Sequence, residues 1–446
     1  MHSVFSTHLW RITVRALQIA AATALATGSF VRAWVGLRRS ADDAVPRAAG
    51  RALVRLCTRL GATFIKVGQI ASTRADLLPR ALVDELAALQ DRVPPFAFAI
   101  VRRTVEAELG APLEAIYTQF DAEPVAAASV AQVHRAVLRG DGSEVAVKVR
   151  RPDIVDKVGL DRSILLAVAR ALERLVPSLR LVSLEGAVRA FCDAVEEQIH
   201  FTLEAANNDR FSANFAADPD VAFPRLHPAA CSDAVLTMEF VAGVREAELE
   251  AHGVDVHRIV TAGMRCVCRM IFLHGFVHAD LHAGNLRFFP PGRVVLLDLG
   301  LVGRLTDDDR IGTAQTLYAF ATGDGRTVAR LFYERAPYTA TPDYAAYERE
   351  VIALVDSLYR RGLGSLQVTV EIGRIFDVLR RHRIHARSHM TMVNLALMAA
   401  EGLGKRLDPS LNLTDEALPY LAEAIAGSAP AARSFGVERS AFGEPT

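Results

Sequence analysis

The sequence predicts an α+β fold with a strand-rich stretch set between helical ones. Three observations carry that reading. Residues 124–150 run VAAASVAQVHRAVL, then GDGS, then EVAVKVR, which is strand, turn and strand. Residues 291–300, PGRVVLLDLG, fit a buried strand ending in a turn. Residues 45–120 and 306–427 place apolar residues at helical spacing, broken at Pro94–Pro95.

Composition narrows the class. The 446 residues allow about three folding units. Half are hydrophobic, enough for large cores and against a disordered chain. Lys+Arg and Asp+Glu each number 51, and a net charge of zero argues against a nucleic-acid partner. The five cysteines (Cys57, Cys192, Cys231, Cys266, Cys268) form no CxxC pair, as suits buried thiols in a reducing compartment. Four of the 51 basic residues are lysines: Lys66, Lys148, Lys157 and Lys405. Where arginine is the default, a lysine marks a place for a compact ammonium.

The first forty residues carry five arginines (Arg11, Arg15, Arg32, Arg38, Arg39) and no acid. The uncharged run between Arg15 and Arg32 is 16 residues long, short of the roughly 20 that span a bilayer. Three readings stand: a buried helix, an interfacial helix on an anionic surface, and a signal peptide. Further on, residues 184–216 read as one long acidic helix, FPRL and AVLTMEFV as strands, and 257–275 as a helix. The last fifteen or so residues read as a loose tail.

The chemistry concentrates in HADLHAGN, residues 278–285. Asp280 and Asn285 are five apart, and Asp298 follows at the end of the VVLLDLG strand. One carboxylate can orient a substrate hydroxyl, while an amide oxygen and a second carboxylate are hard ligands for Mg²⁺. Asp-x4-Asn followed by Asp-x-Gly is the pattern of kinase-like phosphotransferases. A zinc reading of His278, Asp280 and His282 competes, but it lacks a further ligand cluster and leaves Asn285 idle. Upstream, Lys148 lies in an alternating strand, where kinases place the lysine that meets the nucleotide phosphates. Glu196, Glu197 and Glu204 are the helical acids available to hold it. No GxGxxG precedes that strand; Ala126-Ala127-Ala128-Ser129 stands in its place.

AAASVAQVHRA, VAVKVRRP, HADLHAGN and LLDLG, with FIKVGQIASTRADLLP around Lys66, resemble the UbiB/AarF family of atypical kinase-like proteins over residues 50–330. KVGQ decides it, since ordinary kinases lack that motif. The resemblance implies a bilobal protein-kinase-like fold with a helical N-terminal extension and a mostly α C-terminal lobe. It implies that Lys148 contacts the phosphates of ATP or ADP, that Glu204 is its helical partner, and that Asp280 is the catalytic-loop aspartate. Asn285 and Asp298 would bind Mg²⁺, and Ala126 to Ser129 would cover the phosphates. Met238 to Val241, with Glu239 among them, would form the adenine hinge, and Lys66 and Gln69 would reach in from the extension.

The chain also departs from the family pattern. Gln198 and His200 stand where a Glu-x-Asp pair is usual, Leu281 and Ala283 where prolines are, Ala131 where a glycine is, and Leu299 where DFG has phenylalanine. The expected domains are 1–44 (a membrane-surface segment), 45–120 (the extension), 121–242 (N-lobe), 243–430 (C-lobe) and 431–446 (tail). The expected activity is Mg²⁺-dependent ATP hydrolysis or phosphoryl transfer supporting quinone or other isoprenoid-lipid metabolism. The expected place is the cytoplasm or the inner face of the cytoplasmic membrane, with a lipid or quinone precursor and a lipid-biosynthesis complex as partners. The alternatives are a nucleotide-binding pseudokinase scaffold and a small-molecule phosphotransferase of the aminoglycoside or choline kinase type.

Overall fold

A computed structural model of the chain describes residues 2–37, 44–72, 79–89, 94–176, 184–361 and 368–428. The chain divides into two units. Residues 1–205 with 225–240 form the first, and 206–224 with 241–446 form the second.

The first unit begins with α1 (His2–Leu37), α2 (Ala44–Leu60), α3 (Ala62–Ser72) and α4 (Arg80–Leu86). The basic N-terminal stretch is thus one continuous helix. Its Arg15 is buried, bonded to both Asp161 oxygens at 2.7 and 3.0 Å and to the Leu60 carbonyl at 2.7 Å. A guanidinium can leave water there because its fork meets a carboxylate and a carbonyl together. Helices α2 to α4 share a small core of Cys57, Ile65, Leu86 and Leu89. The glycine of KVGQ belongs to that packing, since a Cβ on Gly68 would lie 2.2 Å from Leu89 Cδ1.

Helices α5 (Phe98–Leu109) and α6 (Leu113–Ile116) lead into the sheet. Its strands are β1 (Tyr117–Phe120), β2 (Ala126–Ala127), β3 (Ala131–Leu138), β4 (Glu144–Arg150) and, after β5 (Val221–Ala222) in the second unit, β6 (Val235–Glu239). The order is β1-β3-β4-β6, antiparallel throughout, with β2 on β3. The β3–β4 turn closes as its GDGS suggests, with Gly142 at φ +71° and the Ser143 N–H donating to the Asp141 carboxylate at 3.0 Å. The sequence placed 45–120 entirely in helices, whereas residues 117–120 are a strand. Four residues are too few to show a period. The strand is fixed by distant contacts: the Tyr117 ring sits in the core with Val145 and Val235, and its hydroxyl is 2.9 Å from that of Thr237.

Helices α7 (Ile154–Leu175), α8 (Leu184–Gln198) and the start of α9 (Phe201–Asn214) pack with the sheet through Ile154, Val158, Val195, Phe201 and Leu236. The single helix expected over 184–216 is therefore two. The break has a physical cause outside the stretch itself. Asp233 accepts from the Phe201 N–H through its carbonyl at 3.1 Å, and its carboxylate lies 3.0 Å from His200 Nδ1.

The rest of α9 opens the second unit. Helix α10 (Val256–Cys268) is capped by Asp255, whose carboxylate accepts from the Arg258 N–H at 3.0 Å, and it runs into a π turn over Arg269–Leu273. Strand β7 (Phe276–His278) pairs with β10 (Val302–Arg304). Strands β8 (Leu286–Phe289) and β9 (Arg293–Leu296) make a hairpin, with β5 parallel to β9. Six helices follow: α11 (Asp307–Ala321), α12 (Gly325–Glu334), α13 (Tyr344–Arg361), α14 (Val368–Arg381), α15 (Ser388–Leu407) and α16 (Leu413–Ala426). A short pair, β11 (Tyr338–Thr339) with β12 (Ile384–His385), interrupts the stretch expected to be wholly helical. One core containing Met264, Phe272, Phe276, Phe320, Val351 and Ile425 joins these elements. The expected tail, 431–446, lies outside the described residues.

Candidate active site

In the first unit the candidate residues gather around β4. Lys148 lies between Val147 and Val149, both wholly buried, and opposite Val133 and Leu236 on the neighbouring strands. Its Nζ donates to both Glu204 oxygens at 2.9 and 2.8 Å, and both residues are buried. Of the helical acids the sequence offered, Glu204 is thus the one that meets the lysine. The Phe201 ring, one turn earlier on α9, lies with its centroid 5.3 Å from Nζ. A buried ammonium and a buried carboxylate offset much of each other's desolvation cost when bonded this closely.

The Ala126–Ser129 stretch is a tight hairpin rather than an open loop. Ala126 and Ala127 form β2, and the Ala128 N–H donates to the Ala131 carbonyl at 2.8 Å across Ser129 and Val130. No residue of that turn has a positive φ. Alanine therefore serves where a more open phosphate loop calls for glycine. Ala131, in the position of the usual glycine, is packed with Val130 and Ile154. At the expected hinge the Glu239 N–H donates to the Arg225 carbonyl at 2.8 Å and the Phe240 N–H to the Glu144 carbonyl at 3.1 Å. The chain passes between units after Phe240, so Val241 belongs to the second.

In the extension Lys66 is buried on α3, and the Gln69 amide donates to the Leu89 carbonyl at 3.0 Å. The two departures on α8 and at its end behave differently. His200 reaches Asp233, as above, while Gln198 Nε2 is buried without an acceptor. Burial works to raise the Asp233 carboxyl. Hydrogen bonds from Arg150, His200 and Thr202 outweigh it and leave that carboxyl below its ordinary range.

In the second unit a set of backbone hydrogen bonds shapes the HADLHAGN loop. His278 is wholly buried; its Nδ1 accepts from the Asp280 N–H at 3.1 Å and its Nε2 donates to the Leu297 carbonyl at 3.3 Å. Burial pushes the His278 pKa down, so the ring is neutral and serves as a spacer between loop and strand. With both nitrogens engaged, His278 cannot be a metal ligand, and the zinc reading fails. His282 accepts from the Gly284 N–H at 3.1 Å, capping the short turn Ala283–Asn285. The Asn285 amide donates to the Asp280 carbonyl at 3.1 Å, which turns its oxygen to the other side. The Leu297 N–H donates to the Asn285 carbonyl at 2.8 Å, so Asp298 follows directly on a residue tied to the loop. Asp298 is exposed and sits at φ +52°, a left-handed conformation that aspartate tolerates better than most side chains.

One positioning residue escaped the sequence reading. Asn207 on α9 is buried, donates to the Leu299 carbonyl at 3.0 Å, and accepts from Arg304 at 3.2 Å. It holds the DLG turn from the helix that carries Glu204 three residues earlier. The NN pair after Glu204 was the available signal, since two adjacent amides in mid-helix call for partners.

Comparison with known proteins gives the family. Residues 88–332 match the ABC1 atypical kinase-like domain, and residues 351–412 match the UbiB helical domain. The chain is 33% identical over 384 residues to the probable protein kinase UbiB of Shewanella piezotolerans and to that of Shewanella pealeana. Each alignment covers 84% of this chain and 70% of the relative. A solved erythromycin complex from Mycobacterium tuberculosis aligns with a TM-score of 0.48 at 22% identity, over 79% of this chain and 93% of that one. The two family models and the UbiB relatives lead to one conclusion: the chain belongs to the UbiB family of ABC1 atypical kinase-like proteins.

Proposed function

We propose that the chain binds ATP with Mg²⁺ and hydrolyses it, or passes its terminal phosphoryl group to an acceptor, in quinone or other isoprenoid-lipid metabolism at a membrane surface. The buried Lys148–Glu204 pair carries the reading. A lysine on a strand held by a helical glutamate is the arrangement by which kinase-like folds present an ammonium to nucleotide phosphates. In this reading Glu204 orients Lys148 toward those phosphates, and Asp280 orients the attacking hydroxyl or water. Asn285 and Asp298 suit Mg²⁺ because both offer hard oxygens, the first with its amide nitrogen engaged by the Asp280 carbonyl and the second on an exposed residue. Bound Mg²⁺ supplies neutralisation of phosphate charge. Catalysis is then mainly electrostatic and positional.

The membrane part of the proposal rests on α1. Its segment Trp10–Trp34 is long and apolar enough, by length and composition, to cross a bilayer. Yet Arg15 is bound to Asp161 and Arg11 to Asp156 on α7. Trp10, Leu17 and Leu25 remain exposed. A helix held against its own protein while showing an apolar face suits contact with the lipid surface.

The test is Mg²⁺-dependent phosphate release from ATP, with and without anionic liposomes, for wild type and Asp298→Asn. Turnover by the wild type that the variant lacks supports the proposal. Nucleotide binding without turnover by the wild type would favour a scaffold, a reading to which the unpartnered Gln198 amide lends one observation.

A further inference from the structure

In the hairpin over Ala128–Ala131, three carbonyls are engaged and two N–H groups are open. The Ala131 carbonyl accepts from the Ala128 N–H at 2.8 Å, and the Val130 carbonyl accepts from the Arg151 N–H at 2.9 Å. The Ala128 carbonyl accepts from Arg151 Nε at 2.9 Å. The N–H groups of Ser129 and Val130 meet no acceptor among the described residues. Both residues are buried, and buried N–H groups without an acceptor are rare. Successive N–H groups in a turn make a concave seat for an anion. We propose that Arg151 is the positioning residue of such a seat: by holding the hairpin's carbonyls, it leaves the Ser129 and Val130 N–H groups to bind a polyphosphate anion. The proposal rests on the nucleotide reading above only for the source of that anion.

Arg151 is itself fixed in place. Its Nη2 donates to the Pro94 carbonyl at 2.8 Å, and its guanidinium carbon lies 5.5 Å from the centroid of the Phe96 ring. Phe96 is held in turn by the buried Gln132 amide, which accepts from its N–H at 2.9 Å and donates to its carbonyl at 3.3 Å. The other Gln132 Nε2 hydrogen goes to His134 Nε2 at 2.9 Å, and His134 Nδ1 donates to the Asp121 carbonyl at 2.8 Å. The guanidinium fork thus bridges two carbonyls from separate segments, Ala128 and Pro94, a geometry that a lysine ammonium does not reproduce. Both side-chain acceptors are neutral, so these bonds leave the positive charge uncancelled beside the hairpin.

The test uses the full chain labelled with ¹⁵N-valine. The Val130 amide reports on the seat, and Val105, wholly buried on α5, reports that each variant is folded. The probes are inorganic tripolyphosphate and adenosine, which divide the anion from the nucleoside. Tripolyphosphate should shift the wild-type Val130 signal saturably, and adenosine should leave it in place. Arg151→Met should raise the Kd for tripolyphosphate about tenfold or more. Arg151→Lys keeps the charge without the fork, and its Kd should stay within about threefold of that of Arg151→Met. A wild-type Val130 signal unmoved by tripolyphosphate, or moved as far by adenosine, would overturn the proposal. So would wild-type affinity in Arg151→Lys, which would make charge alone the cause. ATP turnover, measured separately, keeps the two readings apart. Turnover with an unmoved Val130 signal sinks this proposal alone, whereas a saturable Val130 response without turnover supports it and removes hydrolysis.

Discussion

The two candidate regions, one in each unit, are built on opposite principles. Around β4 a charge is held by another charge: Lys148 and Glu204 are both out of water and bonded at 2.8 and 2.9 Å. Around the HADLHAGN loop the backbone is held by neutral groups, through His278, His282 and Asn285, and the Asp298 carboxylate is left at the surface. The first arrangement couples function to stability, because losing either member removes a charge-assisted bond from a buried charge. The second separates them, because the bonds that set the loop's shape come from amides and imidazoles. Substitutions in the two places should therefore fail in different ways.

The largest effect is expected at the ion pair. Glu204→Leu takes a carboxylate from a buried ammonium and should cost about 3–5 kcal/mol of unfolding free energy. Urea titration of the full chain reads this, and Lys148→Met combined with Glu204→Leu should recover most of the loss. If the single variant is as stable as wild type, the pair is not the strut described here. In the loop, Asp298→Asn should lower turnover on the order of 100-fold and leave the urea midpoint within experimental scatter. A large stability loss there would blur the contrast.

Asn207→Ala sits between these cases, since it strips the Leu299 carbonyl and Arg304 of a buried partner. It should cost about 1–3 kcal/mol and raise the Mg²⁺ concentration needed for half-maximal activity. A variant that loses stability at unchanged Mg²⁺ requirement would make Asn207 a packing residue only.

A smaller effect should appear with pH. Burial pushes His274 down to about 4, and its Nε2 has no hydrogen-bond partner. The unfolded chain binds a proton near pH 6.5 and the folded chain resists it. Stability supplied by the neutral ring is therefore present above about pH 6.5 and lost as pH falls toward 4. Between pH 7 and pH 5 the wild type should lose on the order of 1 kcal/mol through this group. His274→Phe should flatten that slope, and an unchanged slope would remove His274 from the account. The smallest effect belongs to the N-terminal helix. Leu17→Glu on its exposed face should weaken liposome cosedimentation, most clearly at high salt where arginine–lipid attraction is screened.

What the sequence disclosed divides along the same line. Local patterns were readable: the β3–β4 hairpin from GDGS, Lys148 from its alternating strand, and the loop from Asp280, Asn285 and Asp298. Each is set by residues near one another in the chain. The missed features depend on distant partners. Periodicity ran through 184–216 because the contacts that break the helix at His200 come from Asp233. Tyr117–Phe120 looked helical because its strand character comes from β3 and Thr237. The partner of Arg15 was not legible because Asp161 lies 146 positions away.

The most direct test of the division of labour is a paired measurement on Asp280→Asn: Mg²⁺-ATP affinity by calorimetry and phosphate release under saturating ATP. The account predicts affinity within about threefold of wild type and turnover reduced on the order of 100-fold. Turnover equal to that of the wild type would contradict it, and would make the loop a structural feature of a nucleotide-binding scaffold.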